Sequence, residues 1–182
     1  MWRDLLMYGV LPLWVLGGLA EGWCHRRTHF NTPARGRETL YHLTLLAQMG
    51  IGGLAALWLE INLATLVLLL GLFLLHEATR WLDMGHTRGT RELQDGERMA
   101  YSFLELLPLF IVLCLIALFG SQAGGWMDAS AWQLRWKDDP LPPGYVLTLC
   151  TVIGLAHIVP RLEDAVRHWR SNRPPTPHTP AR

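Results

Sequence analysis

The residues in this chain that can do chemistry are histidines and carboxylates set at helical spacing. Glu21, His25 and His29 recur every fourth residue, as do Glu38 and His42, and His76 and Asp83 stand seven apart with Arg80 between them. Glu97, Tyr101 and Glu105 repeat the four-residue step. Side chains at i and i+4 are neighbours on a helix surface, so each segment can deliver a carboxylate/imidazole pair to one point. Such pairs projecting from several helices build the di-iron and di-manganese centres of four-helix bundles. The oxygen-and-nitrogen donor mix suits a divalent metal, Fe or Mn ahead of Zn. On this reading Glu38, His42, His76, Asp83, Glu97 and Glu105 ligate metal and Glu21 and His25 complete the shell. Tyr101 is the catalytic residue, donating a proton or hydrogen bond, and an open coordination position takes water or dioxygen.

The elements that must position these groups are membrane helices. Of 182 residues 51% are hydrophobic and 17% charged, with mean hydropathy +0.19, whereas soluble domains carry about 25% charged residues. The stretches 5–20, 43–59, 61–75, 106–119 and 140–160 contain no Asp, Glu, Lys or Arg. A spanning helix needs roughly 20 mainly apolar residues. Extended by a turn or so, these stretches give an all-α bundle of five transmembrane helices at about 3–22, 40–59, 61–82, 100–119 and 143–161. Glu60, Ile61 and Asn62 must turn the chain between the second and third helices, making them an antiparallel hairpin. The five helices form one domain, 1–163. The Pro-rich basic remainder, 164–182, which carries His168 and His178, reads as a disordered tail.

Charge sets the orientation. All of the 16 Lys and Arg except Arg3, Arg135 and Lys137 lie after the first helix, around the third-to-fourth connection, or in the tail. The positive-inside rule then places the N-terminus outside and the C-terminus in the cytoplasm. Cleavage of the first 20 residues as a secretory leader, after Gly18-Leu19-Ala20, would put a four-Arg segment outside, and the first helix is read as retained. In this orientation all eight histidines fall at or near the cytoplasmic ends. Intramembrane ionisable residues face the bundle interior and mark function by default. Glu105 lies about one and a half turns inside the fourth span with no basic neighbour in sequence, and an unpaired charge there costs on the order of 2–3 kcal/mol. Pro108 frees the Leu104 carbonyl at similar depth. Glu77 and Arg80 are expected to pair at the interface. Trp126, Trp132 and Trp136 read as a loop on the outer surface, the last two sharing a face if that piece is helical.

Several classes are excluded. Cys24, Cys114 and Cys150 give no disulfide framework. Nucleophilic-hydrolase motifs, Gly-rich phosphate loops and CxxC pairs are absent. The basic residues are accounted for by topology, and the net charge is +1, so nucleic acid is not a partner. Of the paired-histidine motifs of membrane desaturases and hydroxylases, only His25-x3-His29 is present.

The segments EGWCHRRTHFNTPARGRETLYHL, LLHEATRWLD, RELQDGERMAYSFLELLP and LRWKDDPLPP together resemble a family of small bacterial multi-pass membrane proteins of unassigned activity. The likeness covers nearly the whole chain, and it implies a location in the inner membrane of a bacterium. In that family the position of Tyr101 is usually histidine, which puts a fully ligated second metal in doubt here. Similar chains are sometimes labelled diguanylate cyclase, but this sequence has neither the Gly-Gly-Asp/Glu-Glu-Phe signature nor room for a cyclase domain. Two functions follow as expectations. One is a metal-dependent oxidoreductase acting on a lipid-like or quinone-like molecule from the inner leaflet. The other is a non-enzymatic membrane protein, a metal or proton handler or structural partner, whose His/Glu cluster is a structural polar network and needs no metal.

Overall fold

A computed structural model describes residues 1–27, 35–88 and 95–171, and within them every side chain except those of His25, Arg35, Glu97, Asp164, His168 and Ser171. Most of the described residues are helical, with one isolated bridge between Leu59 and Trp136 as the sole extended pairing among them. Five helices are long and apolar enough to cross a membrane: Trp2–Cys24, Gly36–Trp58, Leu63–Arg88, Arg98–Gln122 and Pro143–Arg167. The first and fifth each contain a π-helical turn, Leu5–Val10 and Gly154–Ile158.

The five pack as a ring that the fifth helix closes through its C-terminal part, 154–171. The first helix lies against the fourth and fifth, the third against the fourth, and the second against the third and the C-terminal end of the fifth. Two apolar layers hold the ring. Ala55, Leu66, Leu69, Val112 and Leu115 join the second, third and fourth helices, while Val10, Trp14, Leu107 and Cys114 join the first and fourth. The three cysteines are free thiols.

Local sequence sets the ends. The second helix finishes at Trp58 and the third starts at Leu63, two residues later than the apolar pattern implied. Asn62 explains the delay, because its Oδ1 accepts the Thr65 N–H at 3.0 Å as an N-cap. The fifth helix opens with Pro143 at its first turn, where a missing N–H costs nothing. It continues to Ser171, so 164–171 is helix rather than the start of a tail, and 172–182, with His178, lie outside the described residues.

The connection between the fourth and fifth helices folds back over the hairpin. Lys137 Nζ donates to the carbonyls of Ala56 and Leu57 at 2.6 and 3.0 Å, and Asn62 Nδ2 donates to the Gln133 carbonyl at 2.7 Å. The last carbonyls of the second helix are thereby satisfied by a cation, which also suits the helix dipole. Gly124 has φ +90°, and a Cβ there would meet Ala131 Cβ at 2.5 Å, so this turn requires glycine. Trp132 and Trp136 do not share a helical face: the short 3-10 turn Ala129–Trp132 ends before Trp136, which pairs with Leu59 in extended conformation.

Candidate functional site

At the end of the ring carrying most of the basic residues, a buried polar chain links all five helices. Glu21 of the first helix is 3% exposed and ion-paired with Arg161 of the fifth. Arg161 Nη1 lies 3.2 Å from Nδ1 of His42 on the second helix. An imidazole that accepts at Nδ1 carries its proton on Nε2, and His42 Nε2 lies 3.3 Å from Asp83 Oδ2 on the third. The same oxygen accepts from Arg80 Nη1 at 3.0 Å. The Arg80 guanidinium sits 4.4 Å over the ring of Tyr101 on the fourth helix, a cation–π contact. Glu38, His42, Arg80, Asp83 and Tyr101 are all buried.

The seven-residue step from His76 to Asp83 does bring both side chains to the bundle interior, and Arg80 lies between them on the same face. Arg80 pairs with Asp83, not with Glu77 at the interface as its spacing of three had implied. Burial decides this: a guanidinium in the interior needs a carboxylate beside it, and Asp83 is 1% exposed. His76 is 5% exposed, and neither of its ring nitrogens has a hydrogen-bond partner among the described residues.

Two neighbouring cavities lie beside this chain of contacts. The smaller, of about 60 Å³, is lined by Glu21, His42, His76, Arg80, His157 and Arg161 among others. The larger, of about 850 Å³, is walled by apolar residues such as Leu6, Leu69, Leu72, Phe73 and Leu115, and reaches Lys137 and Leu141 at the opposite end. Trp14, Leu46, Met49 and His157 line both. The larger space exists because the fifth helix stands off: its segment Pro143–Ile153 has no buried residue, and Ala156 in the π-helical turn is the first that does. His157, in that same turn, stacks on Trp14 with ring centroids 4.5 Å apart and lies against Gly18. π-Helical turns recur at functional sites.

The expected ligand set is only partly assembled. Glu21, Glu38, His42, His76, Asp83 and the catalytic candidate Tyr101 are buried in this region. Glu105 is not: it lies on the exposed face of the fourth helix, so the single centre uniting it with His42 and His76 does not form. The helix turns 100° per residue, and from Tyr101 at the interior face the intervening drift carries Glu105 outward. The side chains of His25 and Glu97, and all of His29, lie outside what is described. No group of three His, Cys, Asp or Glu side chains among the described residues is arranged to hold a metal ion. Two of the carboxylates, Glu21 and Asp83, instead face guanidinium groups. Sequence reasoning assigned Arg161 to topology alone and missed its place in the site. The signal was the four-residue step from His157 to Arg161, the same spacing that marked the other pairs. No family model, curated protein or solved structure matches this chain.

Proposed function

We propose that this protein binds a lipid-like or quinone-like molecule within its helix ring, with the chain of the molecule in the 850 Å³ apolar cavity and its polar head at the His/Arg/carboxylate cluster. The observation that carries the reading is that Trp14, Leu46, Met49 and His157 line both cavities, which sets the large apolar space directly beside the polar cluster. Its size falls in the range of roughly 300–1,000 Å³ typical of small-molecule sites, which are mainly apolar with a few convergent polar groups. The charge asymmetry of the sequence supports a polar end at the cytoplasmic leaflet with the N-terminus outside, and on this reading the head enters from the inner leaflet.

A second reading, the metal-dependent oxidoreductase, is favoured by one feature: His42 and His76 line the same small cavity, and both ring nitrogens of His76 lack partners among the described residues. The donor set does not fit a ready centre, because Arg80 and Arg161 occupy the carboxylates such a metal would need. Purification in mild detergent, followed by organic extraction with mass spectrometry and by elemental analysis, separates the readings. One amphiphile per chain without Fe, Mn or Zn supports the binding role alone. Stoichiometric metal that is lost in His76→Ala and retained in Glu77→Gln supports the oxidoreductase. Neither species would sink both and leave the cluster as a structural network.

A further inference from the structure

The polar end of the site has a donor arrangement that selects one head-group chemistry. Arg80 is 3% exposed and three of its features are fixed: Nη1 is committed to Asp83, the guanidinium face rests on Tyr101, and the side chain lines the small cavity. Its Nε and Nη2 are buried and have no hydrogen-bond partner among the described residues. These two N–H groups form the side-on edge of the guanidinium, the parallel pair of donors that matches the two oxygens of a carboxylate or phosphate. His76, with both ring nitrogens unpartnered, and His157, with Nε2 unpartnered, line the same space. A buried guanidinium edge calls for an acceptor, and a two-oxygen acceptor matches both of its donors at once.

Geometry and size narrow it. The Glu21 carboxylate at the cavity wall is ion-paired with Arg161, so it does not compete for the open edge of Arg80. The small cavity, about 60 Å³, exceeds the roughly 10–15 Å³ that admits one water, which gives room for a head of a few heavy atoms. A carboxylate is the smallest group that presents two such oxygens. A quinone offers single carbonyl oxygens at opposite ends of its ring and cannot fill both positions of one guanidinium edge.

We propose that the site takes a long-chain fatty-acid anion, its two oxygens on the Nε–Nη2 edge of Arg80 and its chain in the apolar cavity. The proposal rests on the amphiphile reading above and names its substrate class. Free phosphate or a short carboxylate has the same head chemistry without the chain, and the test separates these sources.

The full chain in mild detergent would be titrated by equilibrium dialysis with radiolabelled palmitate. Competitors would be methyl palmitate, a long-chain quinone, acetate and inorganic phosphate. Palmitate should bind at one per chain and at least tenfold more tightly than its methyl ester, and acetate and phosphate should not displace it at equal concentration. Arg80→Lys keeps a cation beside Asp83 but removes the side-on edge; it should weaken palmitate at least tenfold and leave the methyl ester unchanged. Leu115→Trp, which fills the apolar cavity away from Arg80, should weaken palmitate and methyl palmitate alike. Equal binding of acid, ester and quinone to the wild-type chain would overturn the carboxylate assignment while sustaining the amphiphile reading. Binding of none of the long-chain compounds would overturn both. Displacement by acetate or phosphate as effectively as by palmitate would show that the head alone is recognised and overturn the fatty-acid assignment.

Discussion

Gly18→Ala is the smallest change that should disturb the shared wall of the two cavities. A Cβ at position 18 would stand 2.2 Å from Cε1 of His157 and 2.5 and 2.7 Å from its ring nitrogens. Ordinary contact begins near 3.4 Å, so the imidazole must retreat by more than about 1 Å. The ring is stacked on Trp14, itself a buried core residue, so retreat also disrupts a contact of about 0.5–1.5 kcal/mol. Forcing one extra methyl into a packed site costs about 1–3 kcal/mol. At roughly 2–4 °C per kcal/mol for a chain of this size, the midpoint of thermal unfolding in detergent should fall by about 2–12 °C. Gly50→Ala is the control: a Cβ there meets nothing within 4 Å, and alanine's better helix propensity makes the change neutral or mildly stabilising. Adding His157→Ala to Gly18→Ala should lose less than the sum of the two single changes, since the clash disappears with the ring. Gly18→Ala tolerated as well as Gly50→Ala, or a double variant that loses the full sum, would refute the close approach of the first and fifth helices.

Asp83→Asn should destabilise the fold by about 3–5 kcal/mol, because it leaves the buried Arg80 guanidinium without its counter-charge, whereas Glu163→Gln at the solvent-accessible Arg26 pair should cost about 0–1 kcal/mol; unfolding of the two variants side by side checks the contrast. Lys137→Met removes two charge-assisted bonds to the end of the second helix and should lower stability by about 1–3 kcal/mol, with faster proteolysis of the connection between the fourth and fifth helices as the readout. A reporter fused after Arg182 should read cytoplasmic and one placed within 124–130 external; the reverse would remove the inner-leaflet entry route.

The architecture was legible because its signals are long. Runs without charge fixed the number of spans, and the period-four carboxylate and histidine steps named most of the residues that are buried at one end. Boundaries depended on single caps, and Asn62 was invisible as a cap until its contact with Thr65 was known. The polar network was only half legible. Acidic and imidazole groups attract attention as ligands, so Arg80 and Arg161 were first read as interface and topology charges, though their spacing to Asp83 and His157 placed them on the same faces. Glu105 went the other way: depth along the helix can be counted from sequence, but which direction the helix turns its face depends on packing against the first and third helices. The apolar cavity had no sequence signature at all. It arises from the stand-off of Pro143–Ile153, which reads as an unbroken apolar helix like the others.

If one molecule occupies both cavities, its head lies at Arg80 and its chain runs toward Tyr145. A long-chain fatty acid carrying a diazirine near its far end, cross-linked to the purified full chain and mapped by peptide mass spectrometry, tests that placement most directly. The label should concentrate on cavity-wall residues such as Leu69, Leu115 and Tyr145 and be competed away by excess palmitate. Label spread over the outward-facing residues Leu74, Leu113 and Leu147, and indifferent to competitor, would contradict it.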